Sequence, residues 1–193
     1  MKAICVYCGS SAGINPAYAA GARQLAAALV NKKLGLVYGG GNVGLMGIIA
    51  DEVLRLGGHV TGVIPKALMD KEVGHVELSQ LHVVSNMHER KALMAERSDA
   101  FIAMPGGIGT LEELFEIFTW SQLGFHDKPL GLFNINGFYD TLLAFLQETS
   151  QQGFLRDSHL KLLYAETDPD QLLEKFTHHK PQPHQKWLTS SDL

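Results

Sequence analysis

Short runs of apolar and β-branched residues alternate along this chain with longer segments of helical periodicity. The short runs predict strands near residues 2–9, 34–40, 59–65, 81–85, 100–105, 129–135 and 162–165. The longer segments predict helices at residues 16–33, 44–57, 86–98, 109–124, 139–153 and 169–178. The stretch 66–79 is polar and irregular, and it predicts a loop with one helical turn at most.

The strand segments are continuously apolar rather than alternating, which is typical of strands buried on both faces of a sheet. Because helices separate them, we expect the strands to run parallel and the helices to cover both faces. The sequence therefore predicts a single Rossmann-like, doubly wound α/β domain over residues 1–178. Residues 179–193 are polar and contain prolines, so we expect a flexible tail there.

The composition argues against nucleic acids and membranes as binding partners. The 193 residues are 46% hydrophobic and 19% charged, with a formal net charge of −4. Without a basic surplus or stripe, the chain is not expected to bind nucleic acid. No apolar run reaches the ~20 residues of a membrane span, and the start MKAICVYCGSS is too quickly polar for a signal peptide. We therefore expect a cytoplasmic protein that does not act on a membrane.

Cys5 and Cys8 have the C-x-x-C spacing of thioredoxin-like redox sites. A redox motif of that kind opens a helix, whereas these two residues lie in a predicted strand. Positions i and i+3 of a strand point to opposite faces of the sheet. We therefore expect two buried structural cysteines and no disulfide framework.

Ligands of open parallel sheets bind beyond the carboxyl ends of the strands, so the loops after the strands are the candidate sites. Residues 39–44, GGGNVG, match the dinucleotide fingerprint G-x-G-x-x-G. That fingerprint also needs an acidic residue about 20 positions on, and the next strand ends VIPK at residue 66 instead. A tight turn is therefore favoured over an NAD site. The loop at residues 9–11, GSS, forms either a plain turn or a contact for phosphate or sugar.

The loop PGGIGTLEE at residues 105–113 is the most informative of these segments. Gly106, Gly107 and Gly109 let the backbone approach an anion closely with its amides turned inward. Thr110 adds a hydroxyl at a helix start, where free amides and the helix dipole favour a phosphate. Thr110 and Glu113 also fit a capping box, but a capping box leaves the three glycines unexplained. We therefore favour a phosphate-binding loop.

The helix after the fourth predicted strand begins NMHERK at residues 86–91. Cations in a first turn oppose the helix dipole, so Arg90 and Lys91 indicate an anionic partner nearby. A solvated charged face, capped by Asn86 and Glu89, explains the same residues equally well. If consecutive strands pair, this helix start neighbours the loop at 105–113.

Together these motifs resemble the Lonely Guy (LOG) family. PGGIGTLEE matches the family signature PGGxGTxxE, and MHERK at residues 87–91 matches a second motif that carries an arginine–lysine pair. CGSS at residues 8–11 and YGGG at residues 38–41 are also similar to the family. The resemblance extends from about residue 2 to residue 178 and leaves out the tail.

The resemblance implies a phosphoribohydrolase, which hydrolyses the N-glycosidic bond of adenosine 5′-monophosphates, N6-substituted ones included. The products are the free base, a cytokinin or adenine, and ribose 5-phosphate. Arg90 and Glu113 are implied as the catalytic pair. The implied substrate contacts come from both glycine-rich loops, the arginine–lysine motif and the loop after the third strand: Gly9, Ser10, Glu72, Lys91, Gly106, Gly107, Ile108, Gly109 and Thr110.

The same resemblance implies a homodimer. We expect no cofactor, and no metal either, because no pair of the nine histidines has convincing zinc spacing with a third ligand. Members of the family are often labelled lysine decarboxylases, but nothing in this sequence identifies a lysine for a pyridoxal phosphate Schiff base.

The chemistry of glycosidic cleavage suits these residues. The transition state has oxocarbenium character at the sugar, and a carboxylate near C1′ stabilises it directly or activates the attacking water. Glu113 suits either role, and Arg90 suits orienting Glu113 and binding ribose or phosphate oxygens. Glu112 points about 100° away around the helix and is expected to be structural. A non-catalytic nucleotide-binding or carrier protein of the same fold is the alternative, and an NAD-dependent enzyme is a third.

Overall fold

Parallel strands form a single sheet in the computed structural model, which describes residues 1–72, 74–75 and 77–180, without the side chains of 70–72. The strands are β1 (Ala3–Tyr7), β2 (Gly35–Tyr38), β3 (Val60–Pro65), β4 (Gln80–Val84), β5 (Ala100–Ala103), β6 (Leu130–Phe133) and β7 (Leu163–Glu166). Their order across the sheet is β4-β3-β2-β1-β5-β6-β7. The order reverses at β1, so a crevice opens between the loops after β1 and β5. The predicted doubly wound α/β fold is confirmed.

Seven helices connect successive strands and an eighth follows β7: α1 (Pro16–Asn31), α2 (Gly44–Arg55), α3 (Lys66–Glu72), α4 (Met87–Glu96), α5 (Ile108–Leu123), α6 (Asp140–Gln151), α7 (Asp157–Leu160) and finally α8 (Pro169–Thr177) among the described residues. A short 3-10 turn at Ile135–Gly137 precedes α6. Two helices were not expected from the sequence, α7 and the two-turn α3 in the segment predicted as a loop. Both are too short to produce a periodic pattern of apolar residues over a window of 11 or more positions.

The two faces of the sheet carry separate apolar layers. Ile4, Val6 and Cys8 pack with buried residues of α1, α2 and α8. Cys5 and Tyr7 pack on the other face with buried residues of α4, α5 and α6. The cysteines are free and buried on opposite faces, as expected. Burial raises the pKa of the Cys5 thiol to about 12, so this thiol is unreactive at neutral pH.

The expectation that consecutive strands pair is wrong for β4 and β5. β4 is an edge strand bonded to β3, whereas β5 is bonded to the central strand β1. The strand order is a property of the whole chain, and no local pattern in the sequence encodes it. The approach of α4 to the loop after β5 therefore does not result from the pairing of the strands that precede them.

Within residues 1–72, 74–75 and 77–180, no helix combines the length and the hydropathy that crossing a membrane requires.

The end of the described chain is bonded to the domain. The His179 ring lies 3.0 Å from the Tyr164 hydroxyl and 3.1 Å from the carbonyl oxygen of Asp127. The predicted tail falls mainly on residues 181–193, outside the described residues, and stays a prediction.

Candidate active site

A cavity of about 300 Å³ lies beyond the carboxyl ends of β1, β2 and β5. This volume is at the lower end of the range for small-molecule sites. Its lining includes glycine backbone and polar side chains, from Gly9, Ser10, Arg90, Gly107, Gly109, Thr110, Glu112 and Glu113. It also includes the apolar side chains of Met46, Leu68, Met87 and Ile108. The structure thus brings together most of the predicted site residues, from several different loops and helices.

The loop after β5 presents the start of α5 to this cavity. Gly107 is the N-cap of α5, and no described side chain caps the helix. The amides of the first helical turn have no intrahelical acceptor, so they remain available to an anion. A Cβ atom added at Gly107 or at Gly109 would meet no described atom within 4 Å. These two glycines therefore leave the backbone open to a ligand rather than to another part of the protein.

The capping-box interpretation of this loop is wrong. Thr110 is the third residue of α5 and is only 4% exposed, so it does not occupy the cap position. A Cβ atom at Gly106 would lie 2.1 Å from the Thr110 hydroxyl oxygen. Gly106 thus serves the packing of the loop onto Thr110. Glu113 is not turned back towards the cap but forms an ion pair with another helix.

That partner is Arg90 of α4. The guanidinium Nη1 donates to Glu113 Oε1 at 2.9 Å, and each of the two side chains is 11% exposed. The Arg90 Nε donates to the carbonyl oxygen of Val63, in the second half of β3, at 3.2 Å. Burial raises the pKa of the Glu113 carboxyl, and the charge of Arg90 opposes that rise. The pair therefore combines a desolvated carboxylate with a cation fixed at two points.

Arg90 reaches this position through the packing of α4, not through strand pairing. Asn86 caps α4, with Oδ1 accepting from the Glu89 amide at 2.9 Å, while Glu89 Oε2 accepts from the Ser85 amide at 2.8 Å. The expected cap is confirmed, and it fixes the start of α4 above the carboxyl end of β3. From there the long Arg90 side chain reaches across to α5. The alternative of a solvated charged face does not hold for Arg90, whose side chain is 11% exposed and paired with Glu113.

Gly39 is a site residue that the sequence did not reveal. A Cβ atom at this position would lie 2.0 Å from Arg90 Nη2. The glycine after β2 therefore provides the space in which the guanidinium lies. The signal in the sequence was an excess of glycine, since Gly40, with φ of +76°, already serves the turn.

The rest of the GGGNVG loop is filled by protein. The amide of Leu45, at the start of α2, donates to the carbonyl oxygen of Gly9 at 3.0 Å. A Cβ atom at Gly44 would lie 2.3 Å from the carbonyl carbon of Ser10. The start of α2 thus packs against the loop after β1, where a dinucleotide would place its pyrophosphate. This agrees with a tight turn rather than an NAD site. Gly9 also donates to the carbonyl oxygen of Pro105 at 3.1 Å, which joins the loops after β1 and β5.

Lys91 lies beside this cavity rather than in its lining. Its ammonium contacts Glu112 Oε1 at 2.6 Å and Glu116 Oε1 at 2.9 Å. It lines a neighbouring cavity together with His88, Glu116 and Trp120. Glu112 pairs with Lys91 and also lines the cavity beside Glu113, so its expected structural role stays a prediction. Lys91 contributes positive charge near the site from a position held by two carboxylates.

Glu72 is the last residue of α3, and its side chain lies outside the described residues. One helical turn earlier, Leu68 lines the cavity, so α3 forms part of its wall. The apolar residues Met46, Leu68 and Met87 were not expected from the sequence. Met46 lies in an apolar helix segment, Leu68 in the segment predicted as a loop, and Met87 in the MHERK motif, where only the charged residues were considered.

The fold and the site define a doubly wound α/β protein with an open glycine-rich loop beside a buried arginine–glutamate pair. A family model described as possible lysine decarboxylase matches residues 46–176. The chain is 47% identical over 180 residues to cytokinin riboside 5′-monophosphate phosphoribohydrolase LOG5 of Arabidopsis thaliana, covering 93% of this chain and 79% of that protein. It is 48% identical to the probable cytokinin riboside 5′-monophosphate phosphoribohydrolase LOGL2 of Oryza sativa, covering 96% and 75%. The chain belongs to this family, the LOG family.

Among solved structures, the molybdenum cofactor binding protein of Rippkaea orientalis has a TM-score of 0.68 to this chain. The two are 20% identical, with 92% of this chain and 97% of that chain covered. At this identity the likeness shows a shared fold alone. The decarboxylase description of the family finds no support in the site, because no described lysine lines the cavity that contains Arg90 and Glu113.

Proposed function

We propose that this protein hydrolyses the N-glycosidic bond of cytokinin riboside 5′-monophosphates and of AMP, releasing the free base and ribose 5-phosphate. The observation that carries the proposal is the buried Arg90–Glu113 pair, which borders the same cavity as the open amides at the start of α5. Membership of the LOG family, whose curated relatives carry the name phosphoribohydrolase, supports the same conclusion.

The start of α5 is the proposed phosphate site. Its amides and the positive end of the helix dipole favour a dianionic phosphate, and Gly107 and Gly109 leave the approach open. The rest of this end of the cavity is shaped by the two loops after β1 and β5, through Gly9, Ser10, Gly106, Ile108 and Thr110. Binding energy gained at the phosphate is remote from the bond that breaks, so it orients the sugar for reaction.

Glu113 lies one turn into α5, beyond the phosphate site and towards the sugar. In the reaction the bond from C1′ to the base nitrogen breaks and a bond from C1′ to a water oxygen forms. One proton of that water passes to the departing base. The ionised Glu113 stabilises the cationic sugar or takes a proton from the water, and either role needs the carboxylate form. Arg90 holds Glu113 in place and offers its remaining N–H groups to sugar or phosphate oxygens.

The apolar wall of Met46, Leu68 and Met87 is the proposed contact for the base. A purine and an N6-prenyl substituent are both largely apolar, and burying either in this wall stabilises the complex without a charged partner. Glu72 and Lys91 remain proposed substrate contacts. Lys91 acts through its charge near the cavity, and Glu72 comes one turn after Leu68 in α3.

The test is to incubate the purified protein with AMP and, separately, with adenosine, and to follow free adenine by chromatography. We expect adenine from AMP and at least ~10²-fold less from adenosine, because adenosine lacks the phosphate anchor. The assay is repeated with an N6-prenyl adenosine monophosphate. If none of the nucleotides releases a base while AMP still binds, the protein is a nucleotide carrier with the same loops.

Two further properties belong to this proposal, a homodimer and a cytoplasmic location. The free, buried cysteines Cys5 and Cys8 suit a reducing compartment. Light scattering coupled to gel filtration measures the mass against the 21.1 kDa of one chain.

A further inference from the structure

We infer that His75 is a positioning residue for substrate binding, because it fastens the α3 wall of the cavity to α2 through Asp51. This inference rests on the proposed function, since it concerns the wall that contacts the base. It assigns a purpose to a buried histidine outside the motifs and outside the catalytic pair. Three features support it: the contacts of the imidazole, the contacts of the backbone around it, and the weakness of α3 by itself.

The imidazole of His75 uses both of its nitrogen atoms. Its Nδ1 accepts a hydrogen bond from the Glu77 amide at 3.3 Å. Nδ1 is therefore the unprotonated nitrogen, and Nε2 carries the hydrogen that is donated to Asp51 Oδ1 at 2.8 Å. The His75 residue is 4% exposed, whereas the Asp51 side chain is 64% exposed. A buried ring thus reaches out to a carboxylate on the surface of α2.

The backbone next to this ring is bonded to the loop that holds Arg90. The His75 amide donates to the carbonyl oxygen of Gly40 at 3.1 Å, and Gly74 forms an antiparallel bridge with Gly41. A Cβ atom at Gly74 would lie 3.4 Å from the Met69 sulfur of α3. Residues 74 and 75 are therefore packed between α3 on one side and the GGGNVG loop on the other.

A helix of seven residues is not stable on its own in water. The first residue of α3, Lys66, comes directly after β3, so the sheet holds that end. The second half of α3 packs through Met69 against Gly74. The neighbouring His75 side chain forms hydrogen bonds to Asp51 and to the Glu77 amide. Loosening His75 is therefore expected to free the second turn of α3 and with it Leu68. Arg90 and Glu113 have their own supports, the Val63 carbonyl oxygen and each other.

Because His75 supports α3 while Arg90 and Glu113 have other supports, loss of the His75 contact should affect substrate binding and not the chemical step. Loss of the His75–Asp51 contact removes binding to the base in both ground and transition states, which raises KM and leaves kcat unchanged. The variants are His75→Ala and Asp51→Ala. For each we expect KM for AMP to rise about tenfold with kcat within about twofold of wild type. The variant Asp51→Asn should restore KM, because its amide oxygen still accepts from Nε2–H.

The matched control is Glu52→Ala, the neighbouring carboxylate on α2, which pairs with Arg55 of the same helix. It should leave KM and kcat as in wild type. A role limited to general stability would lower the melting temperature without the KM-specific change. An unchanged KM in Asp51→Ala, or an equal fall in kcat, overturns the inference. Asp51 is a surface residue, so this variant serves if His75→Ala does not fold.

Hydrogen exchange separates this inference from the proposed function. The amides of residues 66–72 should exchange at least about tenfold faster in Asp51→Ala than in wild type, with β1 unchanged. If wild type releases no base from AMP or from the N6-prenyl nucleotide, the proposed function fails, while faster exchange in α3 together with weaker AMP binding still supports the fastening role. Unchanged exchange at residues 66–72 contradicts the inference whether or not the protein is active.

Discussion

Two glycine-rich loops of this protein come after parallel strands and open helices, but they differ in what occupies the space beside them. In the loop after β2, Gly39 faces Arg90 and Gly44 faces Ser10, so protein atoms fill the space. In the loop after β5, Gly107 and Gly109 face no described atom within 4 Å. The first loop is closed by the fold and the second is open to a ligand. A glycine motif therefore shows only that something comes close to the backbone.

The proposed catalytic pair connects the two loops, since Arg90 lies over the closed loop and Glu113 belongs to the helix of the open one. Replacing Glu113 by Gln or Arg90 by Ala should therefore have the largest effect. We expect base release from AMP to fall at least ~10³-fold, because either change removes charge that acts in the transition state.

The matched control for Glu113→Gln is Glu148→Gln. Glu148 is exposed on α6 and accepts a hydrogen bond from Gln152 at the end of the same helix, so we expect less than about a threefold change in rate. Circular dichroism checks that the variants keep the fold. Wild-type turnover in both Glu113→Gln and Arg90→Ala would contradict the proposed mechanism.

The closed loop is tested by Gly39→Ala. A methyl group 2.0 Å from Arg90 Nη2 must displace the guanidinium, which is bonded to Val63 and Glu113. A misplacement of about 1 Å costs on the order of 10²-fold in rate, and we expect that loss in kcat. Gly35→Ala, at the other end of β2, is the control, because its Cβ atom would have only ordinary contacts, the nearest at 3.5 Å. Equal activity of the two variants would show that Gly39 does not position Arg90.

The open loop is tested by Gly107→Ala. Gly107 has φ of −92°, which alanine tolerates, and the added methyl group meets no described atom within 4 Å. The free energy of unfolding should therefore stay within about 0.5 kcal/mol of wild type in urea titrations. KM for AMP should rise about tenfold, because the methyl group holds the phosphate away from the amides. Loss of stability without a change in KM would mean that this loop, too, is closed by the protein.

The two loops also show how much of the fold and of the site can be predicted from the sequence. The strands, most helices and the phosphate loop can be predicted from apolar runs and from glycines before a helix, which are local patterns. The contact between Arg90 and Glu113 could be inferred only from family resemblance, since β4 and β5 lie apart in the sheet. Gly39, Leu68 and His75 were missed because their roles depend on residues brought near by the strand order.

The pH dependence of the reaction tests the burial of the pair. Burial raises the pKa of Glu113 above its ordinary value of 4.5, against the opposing effect of Arg90. Because the carboxylate form is needed, base release should decline as the pH falls through this raised pKa. The acid limb of kcat/KM for AMP should therefore lie at a higher pH than that of a free carboxyl. A limb at or below the ordinary value would mean that the cation outweighs burial.

The segment that follows α5 lies away from the proposed ligand site, and a change there should have the smallest effect. The His126 ring contacts the Ile117 carbonyl oxygen at 2.9 Å through Nε2, and its Nδ1 accepts from the Lys128 amide at 3.1 Å. Burial lowers the pKa of His126 below its ordinary 6.5. The unfolded chain then binds the proton more readily than the folded chain. The stability that neutral His126 contributes is therefore present above about pH 6.5 and declines as the pH falls towards its lowered value.

The variant His126→Gln removes this titration. At about pH 8 it should be about 1 kcal/mol less stable than wild type, because the Lys128 amide loses its acceptor. Between about pH 8 and about pH 5 this difference should shrink, since only wild type loses stability by protonation of the unfolded chain. Urea unfolding at both pH values measures it, with the exposed His59→Gln as the control. A constant difference would mean that His126 contributes by packing alone, and a larger difference at the lower pH would mean that the folded protein prefers the charged ring. Base release from AMP by His126→Gln should equal that of wild type at about pH 8, because this end of α5 lies away from the open loop.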